Sequence, residues 1–443
     1  MNFNDLNISR PLLNAIEDLE YPHPTPIQEQ AFPLIMSGKD MIGVAQTGTG
    51  KTIAYLLPIL RQLKYSEQRQ PRVLIIVPTR ELVAQVVEEA KSLTKYMTVR
   101  IAGVYGGTNI NTQKQLIYDG VDILVATPGR LVDLALTKIL RLKNIKQFVI
   151  DEMDEMLELG FRTQIENILD LLPEKRQNIL FSATTNDDIE RISDLFFIKP
   201  QKIEIVRSGT PLAKIKQTAY DVPNYYTKVN LLNHLLDIDK TITKGLVFVA
   251  SKKLADRLYN EIEAKYPGKI GVMHSNKAQN LRFRTLDAFE DGTYRILIAT
   301  EIIARGMDIR EVSHVINFDM PNNAANYIHR IGRTGRADAK GVSISFINEV
   351  EKEYQMEIEE LMKKTIPMLD FPEQVEVSNV FTDEERPSYQ QKNYLREAKL
   401  NKDGGGAYHG KNEKNSQVNL GGSYRRIMKT KFKKPQRRSS KKK

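Results

Sequence analysis

A chain of 443 residues with 41% apolar side chains is long enough for two domains and can build large cores, which excludes a wholly disordered protein. It contains no cysteine, so disulfides, thiolate metal sites and cysteine nucleophiles are excluded together, in keeping with a reducing compartment. The net charge of +10 is unevenly placed: residues 411–443 hold thirteen Lys and Arg against the single acid Glu413, so a tail of +12 follows a body of −2. Such a tail attracts polyanions, whereas any groove in the body must bind them by local placement of charge.

Met1 to Asp5 offers neither a basic n-region nor an apolar h-region, and no apolar run approaches the ~20 residues that span a bilayer. The expectation is a cytoplasmic protein with no membrane partner.

In chain order, Asp40-Met41-Ile42-Gly43-Val44 reads as a short strand and Ile53 to Leu57 as the opening of a helix. Between them lies Ala45-Gln46-Thr47-Gly48-Thr49-Gly50-Lys51-Thr52. Gly48 and Gly50 let backbone N–H groups converge on an anion, and the helix N-terminus adds the positive end of a dipole. Lys51 can reach the β- and γ-phosphates of a nucleotide, and the Thr52 hydroxyl can ligate Mg²⁺. Ala45 stands where the general phosphate-loop pattern has its first glycine. An ordinary strand–turn–helix would share this layout but has no need of Gly-Lys-Thr at that point.

Further strands are expected at Val73–Pro78, Asp122–Thr127, Phe148–Asp151 and Asn178–Ser182. Their continuous apolarity points to a parallel sheet covered on both faces. Each ends in polar residues, and ligands of open α/β sheets lie beyond such carboxyl ends. Asp151 and Glu152 are adjacent acids at the end of an apolar strand, costly to bury unless a cation compensates them. Metal bound to a triphosphate supplies one, with Asp151 on the metal and Glu152 on the attacking water. A helix N-terminus with favourable acids would give the same pair.

Residues 208–216 break the pattern and read as a linker. A second series follows at Gly245–Ala250, Lys269–His274, Arg295–Thr300, His314–Phe318 and Val342–Phe346, without a Gly-Lys-Thr turn. This suggests a duplicated α/β architecture in which only the first half cradles nucleotide. His329-Arg330-Ile331-Gly332-Arg333-Thr334-Gly335-Arg336 sets three arginines in seven residues, and Arg333 and Arg336 fit the role of arginine fingers. A solvated surface run or an RNA-phosphate contact accounts for the same spacing. A last helix is expected over Glu351–Lys364, and residues 373–443 read as a disordered basic tail.

The ordered set of motifs resembles the DEAD-box RNA helicases, over roughly residues 1–370. The resemblance implies two RecA-like domains, 1–207 and 217–372, that close on RNA and ATP. It implies that Gln28 reads the adenine edge, with Tyr21 stacked on the base and Phe3 supporting that motif. It also implies RNA contacts at Pro78, Thr79, Arg80, Gly107, Thr127, Pro128, Gly129, Arg130 and Thr300. Ser182-Ala183-Thr184 would couple hydrolysis to strand separation, together with Asp154, Gln279, Arg282, Arg305, His329 and Arg330, while Asp308 would touch the ribose. Three residues depart from the family: Met153 replaces Ala, Glu301 replaces Asp and Glu20 replaces Gly.

The expected activity is RNA-stimulated ATP hydrolysis that melts short RNA duplexes or remodels RNA–protein complexes with weak sequence preference. The alternatives are a DNA-translocating helicase and a non-catalytic RNA chaperone or scaffold acting through the tail.

Overall fold

The computed structural model describes residues 2–46, 48–205, 215–301, 312–335 and 341–385. The first sheet contains β1 (Met41–Val44), β2 (Val73–Ile76), β3 (Ile101–Val104), β4 (Ile123–Ala126), β5 (Gln147–Ile150), β6 (Gln177–Ser182) and β7 (Gln201–Glu204), in the order β3-β4-β2-β5-β6-β1-β7. The second contains β8 (Ile215–Asp221), β9 (Gly245–Val249), β10 (Ile270–Met273), β11 (Ile296–Thr300), β12 (His314–Asn317), β13 (Gly341–Ile347) and β14 (Met368–Leu369), in the order β10-β11-β9-β12-β13-β8-β14. Renumbered from its own first strand, the second sheet repeats the order of the first. All pairings within both sheets are parallel. The duplicated architecture expected from the sequence is therefore present as two copies of one topology.

The apolar runs form buried strands because helices cover both faces. Along β2, Val73 and Ile75 enter one core while Leu74 and Ile76 enter the other. The alternation of Cβ direction along a strand distributes a continuous apolar run over two cores. Parallel pairing also brings all the carboxyl ends of a sheet to one edge.

Strands β3, β7, β8 and β14 lie outside the apolar runs. β3 and β7 are at the sheet edges, and β7 buries one residue, Ile203. β8 is interior but carries Gln217 and Thr218, both buried. The Tyr327 hydroxyl donates to Gln217 Oε1 at 3.0 Å, which gives the amide oxygen a partner within the core. Because β8 starts at Ile215, the last two residues of the expected linker belong to a strand. The rest of that linker lies outside the described residues.

The tail boundary expected at residue 373 also shifts. Val375 is buried, Asn224 Nδ2 donates to the Ser378 carbonyl at 2.6 Å, and the Tyr225 N–H donates to Glu385 Oε1 at 2.6 Å. Residues 373–385 thus form a strap across the start of the helix Tyr225–Ile238. The remaining expected tail, 386–443, lies outside the described residues.

That helix follows β8 as the helix Lys51–Gln62 follows β1. On it, Lys228 is 2% exposed and bonds Glu351 Oε2 at 2.7 Å and Asp319 Oδ1 at 3.3 Å. Asp319 follows β12, the counterpart of β5.

Candidate active site

The glycine turn follows directly from β1. The Ala45 N–H donates to the Ser182 carbonyl at 2.9 Å, extending the β1–β6 ladder one step before the chain leaves the sheet. The small Ala45 side chain is buried there, where a larger one would meet the core. Gly50 has φ +87°, and a Cβ on it would lie 2.4 Å from Gln28 Nε2. Backbone conformation and close approach both require glycine at this position. Thr49 Oγ1 donates to the Gln46 carbonyl at 2.8 Å, holding the turn closed.

Gln28 is spoken for at both ends of its amide: Nε2 donates to the Gly50 carbonyl at 3.2 Å and Oε1 accepts from the Thr25 N–H at 3.0 Å. The expected adenine reader is thereby tied to the phosphate loop. Nearby, Phe3 is buried, and the Tyr21 hydroxyl donates to Glu89 Oε1 at 3.0 Å.

Lys51 opens the helix after the turn, with Thr52 next to it. Lys51 is 6% exposed, and its Nζ has no hydrogen-bond partner among the described residues. The acids lie at the end of β5. The Asp151 N–H donates to the Ile76 carbonyl at 3.0 Å, and Asp151 Oδ1 accepts from the Glu152 N–H at 3.0 Å. Glu152 has φ +55° and ψ +51°, a left-handed conformation that turns the chain into the helix Met153–Glu158. Such a backbone in a non-glycine residue costs of order 1–3 kcal/mol and recurs at functional sites.

Glu152 is buried and its Oε2 also lacks a hydrogen-bond partner among the described residues. Burial pushes the Glu152 carboxyl well above the usual carboxylate range, Glu155 adds to this, and Lys51 and Arg333 oppose it. Burial raises Asp151 as well, against the pull of Lys51. A buried Lys51 Nζ without a hydrogen-bond partner among the described residues, in a site with two buried acids, is the environment a metal–polyphosphate would complete. The residues present therefore fit ATP with Mg²⁺.

The rest of the first-sheet edge is wired to this centre. Asp154 Oδ2 accepts from the N–H groups of Ala183 and Thr184 at 3.1 and 3.0 Å and from Thr184 Oγ1 at 3.0 Å. The acid motif and the Ser182-Ala183-Thr184 motif thus share one carboxylate oxygen. Thr79 Oγ1 caps the helix Arg80–Leu93 by accepting from the Leu82 N–H. Gly107 has φ +76°, and a Cβ there would lie 2.2 Å from an Arg80 Nη atom. Pro128 and Gly129 open the helix after Thr127. Arg130 is buried and donates to Gln113 Oε1 at 2.7 Å and to the Thr108 carbonyl at 3.0 Å, which organises the neighbouring loop.

The second sheet meets this edge. Gln279 Nε2 donates to Glu81 Oε1 at 2.7 Å, Arg80 Nη1 donates to Gln279 Oε1 at 3.2 Å, and Arg282 Nη2 pairs with Glu81 Oε1 at 2.6 Å. Arg333 is 3% exposed, with its charge acting on Glu152. Arg330 bonds Glu301 Oε2 at 2.9 Å and the Asp319 carbonyl at 2.7 Å, and its guanidinium lies over the Phe248 ring. His329 sits half-buried beside it, and Thr300 ends β11. Thr47, Arg305, Asp308 and Arg336 lie outside the described residues. Glu81 is the residue that the sequence reading passed over: it directly follows the expected contacts Pro78, Thr79 and Arg80, and it accepts from Gln279 and pairs with Arg282.

The family model for DEAD/DEAH box helicases matches residues 25–192, and that for the helicase conserved C-terminal domain matches residues 227–338. A DEAD-box ATP-dependent RNA helicase CshA of Bacillus cereus is 39% identical over 370 residues, spanning 84% of this chain and 70% of that protein. This chain belongs to the DEAD-box RNA helicases. A second relative, ATP-dependent RNA helicase CshA of Limosilactobacillus reuteri, is 40% identical over 82% of this helicase and 72% of its own length. Among solved structures, S. cerevisiae Dbp5 bound to RNA and ADP BeF3 superposes with a TM-score of 0.75 at 31% identity, covering 83% of this chain and 95% of that one. Mss116 bound to ssRNA and UDP-BeF gives 0.74 at 26% identity, covering 84% and 80%.

The three departures of this DEAD-box helicase have physical accounts. Met153 is fully buried in the apolar core beneath the motif. The longer Glu301 reaches Arg330. Glu20 has φ +54°, the conformation for which glycine carries no steric cost.

Proposed function

We propose that this ATP-dependent RNA helicase hydrolyses ATP where the glycine turn meets the end of β5, and uses closure of its two sheets to melt short RNA duplexes or remodel RNA–protein complexes. In this reading Ala45 through Thr52 cradle the phosphates, with Phe3, Tyr21, Gln28 and Asp308 on the adenosine. Lys51 steadies the γ-phosphate. Thr52 and Asp151 hold Mg²⁺, which when bound offsets charge on the phosphate oxygens. Glu152 orients the attacking water and takes its proton as the water oxygen bonds to phosphorus and the bond to the ADP oxygen breaks. Arg333 and Arg336 stabilise the charge that develops on the transferred group.

The RNA strand lies along Pro78, Thr79, Arg80, Gly107, Thr127, Pro128, Gly129, Arg130 and Thr300, held mainly through its backbone. Asp154 with Ser182, Ala183 and Thr184, and Gln279 with Arg282, Arg305, His329 and Arg330, link the state of the nucleotide to the fit between domains 1–207 and 217–372. No helix among the described residues is long and apolar enough to cross a membrane, and we place the protein in the cytoplasm.

The observation that carries this reading is the pair of buried atoms in one site, Lys51 Nζ and Glu152 Oε2, that have no hydrogen-bond partner among the described residues. The test is steady-state ATPase activity with single-stranded RNA, with single-stranded DNA and with neither. RNA should stimulate turnover strongly and DNA weakly, and Glu152→Gln should abolish turnover while nucleotide binding persists. Equal stimulation by DNA, or full activity in Glu152→Gln, overturns the assignment.

A further inference from the structure

Lys51, Asp151 and Glu152, and the expected RNA contacts Thr79, Thr127 and Thr300, lie at or beyond the carboxyl ends of strands. The opposite edge of the first sheet carries a cavity of about 600 Å³. Its lining includes Lys64, Tyr65, Arg72, Lys143, Lys146 and Lys175, and no acidic side chain. Arg72 directly precedes β2, Lys146 directly precedes β5, and Lys175 comes two residues before β6. Four-residue strands rise about 13 Å, so this site is separated from Asp151 and Glu152 by the thickness of the sheet edge to edge.

The cavity has a built floor and a free rim. Arg72 is buried, fixed by Asp122 Oδ1 at 2.7 Å and by the Lys64 carbonyl at 2.6 Å, and its buried Nε has no hydrogen-bond partner among the described residues. The four lysines are exposed, and none has a carboxylate partner among the described residues. Glu67 and Glu174, the acids nearest in sequence, do not line the cavity. Four like charges around one concavity repel each other, and the binding of an anion relieves that repulsion. Tyr65 stands 73% exposed on the rim, an aromatic face on which a base can stack.

We propose that this cavity binds a phosphate-bearing ligand independently of the ATP site: the backbone of an RNA segment lying outside the cleft, or a free polyphosphate. The proposal rests on the helicase reading only in making RNA one of the two sources. The site lies at the amino ends of β2, β5 and β6, whereas Glu81 lies beyond the carboxyl end of β2.

The test uses the full chain and a Lys143→Glu, Lys146→Glu, Lys175→Glu triple variant, with its fold checked by circular dichroism and a Lys→Gln triple variant as the milder companion. Binding is measured for a single-stranded RNA of about 10 nucleotides, enough for the cleft, and one of about 40 nucleotides that extends beyond it. If RNA is the ligand, the long RNA loses about tenfold or more in affinity and its log–log salt slope falls by about 2, while the short RNA and the ATPase rate it stimulates are unchanged. If a free anion is the ligand, both RNAs bind as before, and inorganic tripolyphosphate binds the parent, with its ATP site saturated by ADP, but not the triple variant. Unchanged binding of all three probes overturns the proposal, as does an equal loss for both RNAs. Failure of the helicase reading would show separately, as absent RNA stimulation in the parent.

Discussion

Gln279 and Glu81, 198 residues apart, meet in a 2.7 Å hydrogen bond that joins the two sheets. Glu81 is 1% exposed and Arg282, its ion-pair partner, 4%. Breaking a buried pair by removing one partner costs about 3–5 kcal/mol, because the other charge stays buried alone. Glu81→Gln and Arg282→Gln should each lower RNA-stimulated ATPase at least tenfold, and the double variant should be no worse than the poorer single one. Additive losses in that double-mutant cycle would separate the two residues functionally.

The raised carboxyls give a pH dependence of defined sign. A group whose folded pKa is raised binds more protons folded than unfolded, so stability falls as pH rises from the ordinary carboxylate value through the raised one. The ligand-free protein should therefore lose stability over that window because of Glu152 and Asp151. Glu152→Gln should flatten the dependence and stabilise the neutral-pH protein by about 1 kcal/mol. Thermal melts across pH, with and without nucleotide, check this. A variant that melts lower than the parent at neutral pH would contradict it.

Asp154 holds three donors of Ala183 and Thr184 on one oxygen. Asp154→Asn keeps the shape but loses the charge, weakening this link by about 2 kcal/mol. The expected outcome is a larger loss in duplex unwinding than in ATP hydrolysis, read from parallel assays on one preparation.

At Gly107 a substitution meets both a left-handed backbone and the Arg80 guanidinium. Gly107→Ala should cost about 1–2 kcal/mol in stability and weaken RNA binding by displacing Arg80. Nucleotide binding measured without RNA should stay within twofold of the parent.

The strap gives a boundary test. Glu385 accepts from the Tyr225 N–H at a helix start, and a lost cap of this kind costs about 1 kcal/mol. A chain ending at Glu385 should melt as the parent does, whereas one ending at Pro372 should melt several degrees lower.

The legible and illegible parts of this molecule divide along physical lines. Val73–Ile76 announced itself because a strand covered on both faces must be apolar throughout. β8 did not, because the buried Gln217 finds a donor for its Oε1 in Tyr327, a partner 110 residues away that no local pattern reveals. The glycine turn and Asp151-Glu152 were readable because phosphate chemistry dictates their residue types. The role of Glu81 was not, since an acid early in a helix has a local explanation. Residues 373–385 looked like tail because their anchoring consists of a few polar contacts and one buried valine.

The ion pairs of Lys228 with Glu351 and Asp319 carry a further consequence. Lys228 comes seven residues after the end of β8, as Lys51 comes seven after the end of β1, and Asp319 follows β12 as Asp151 follows β5. In the second copy the lysine is already paired with carboxylates of its own lobe, whereas Lys51 Nζ has no hydrogen-bond partner among the described residues. Two copies of one topology are therefore electrostatically unlike: in the second the buried lysine is balanced by acids of its own lobe, and in the first the charge balance at Lys51 is left for an arriving anion to complete.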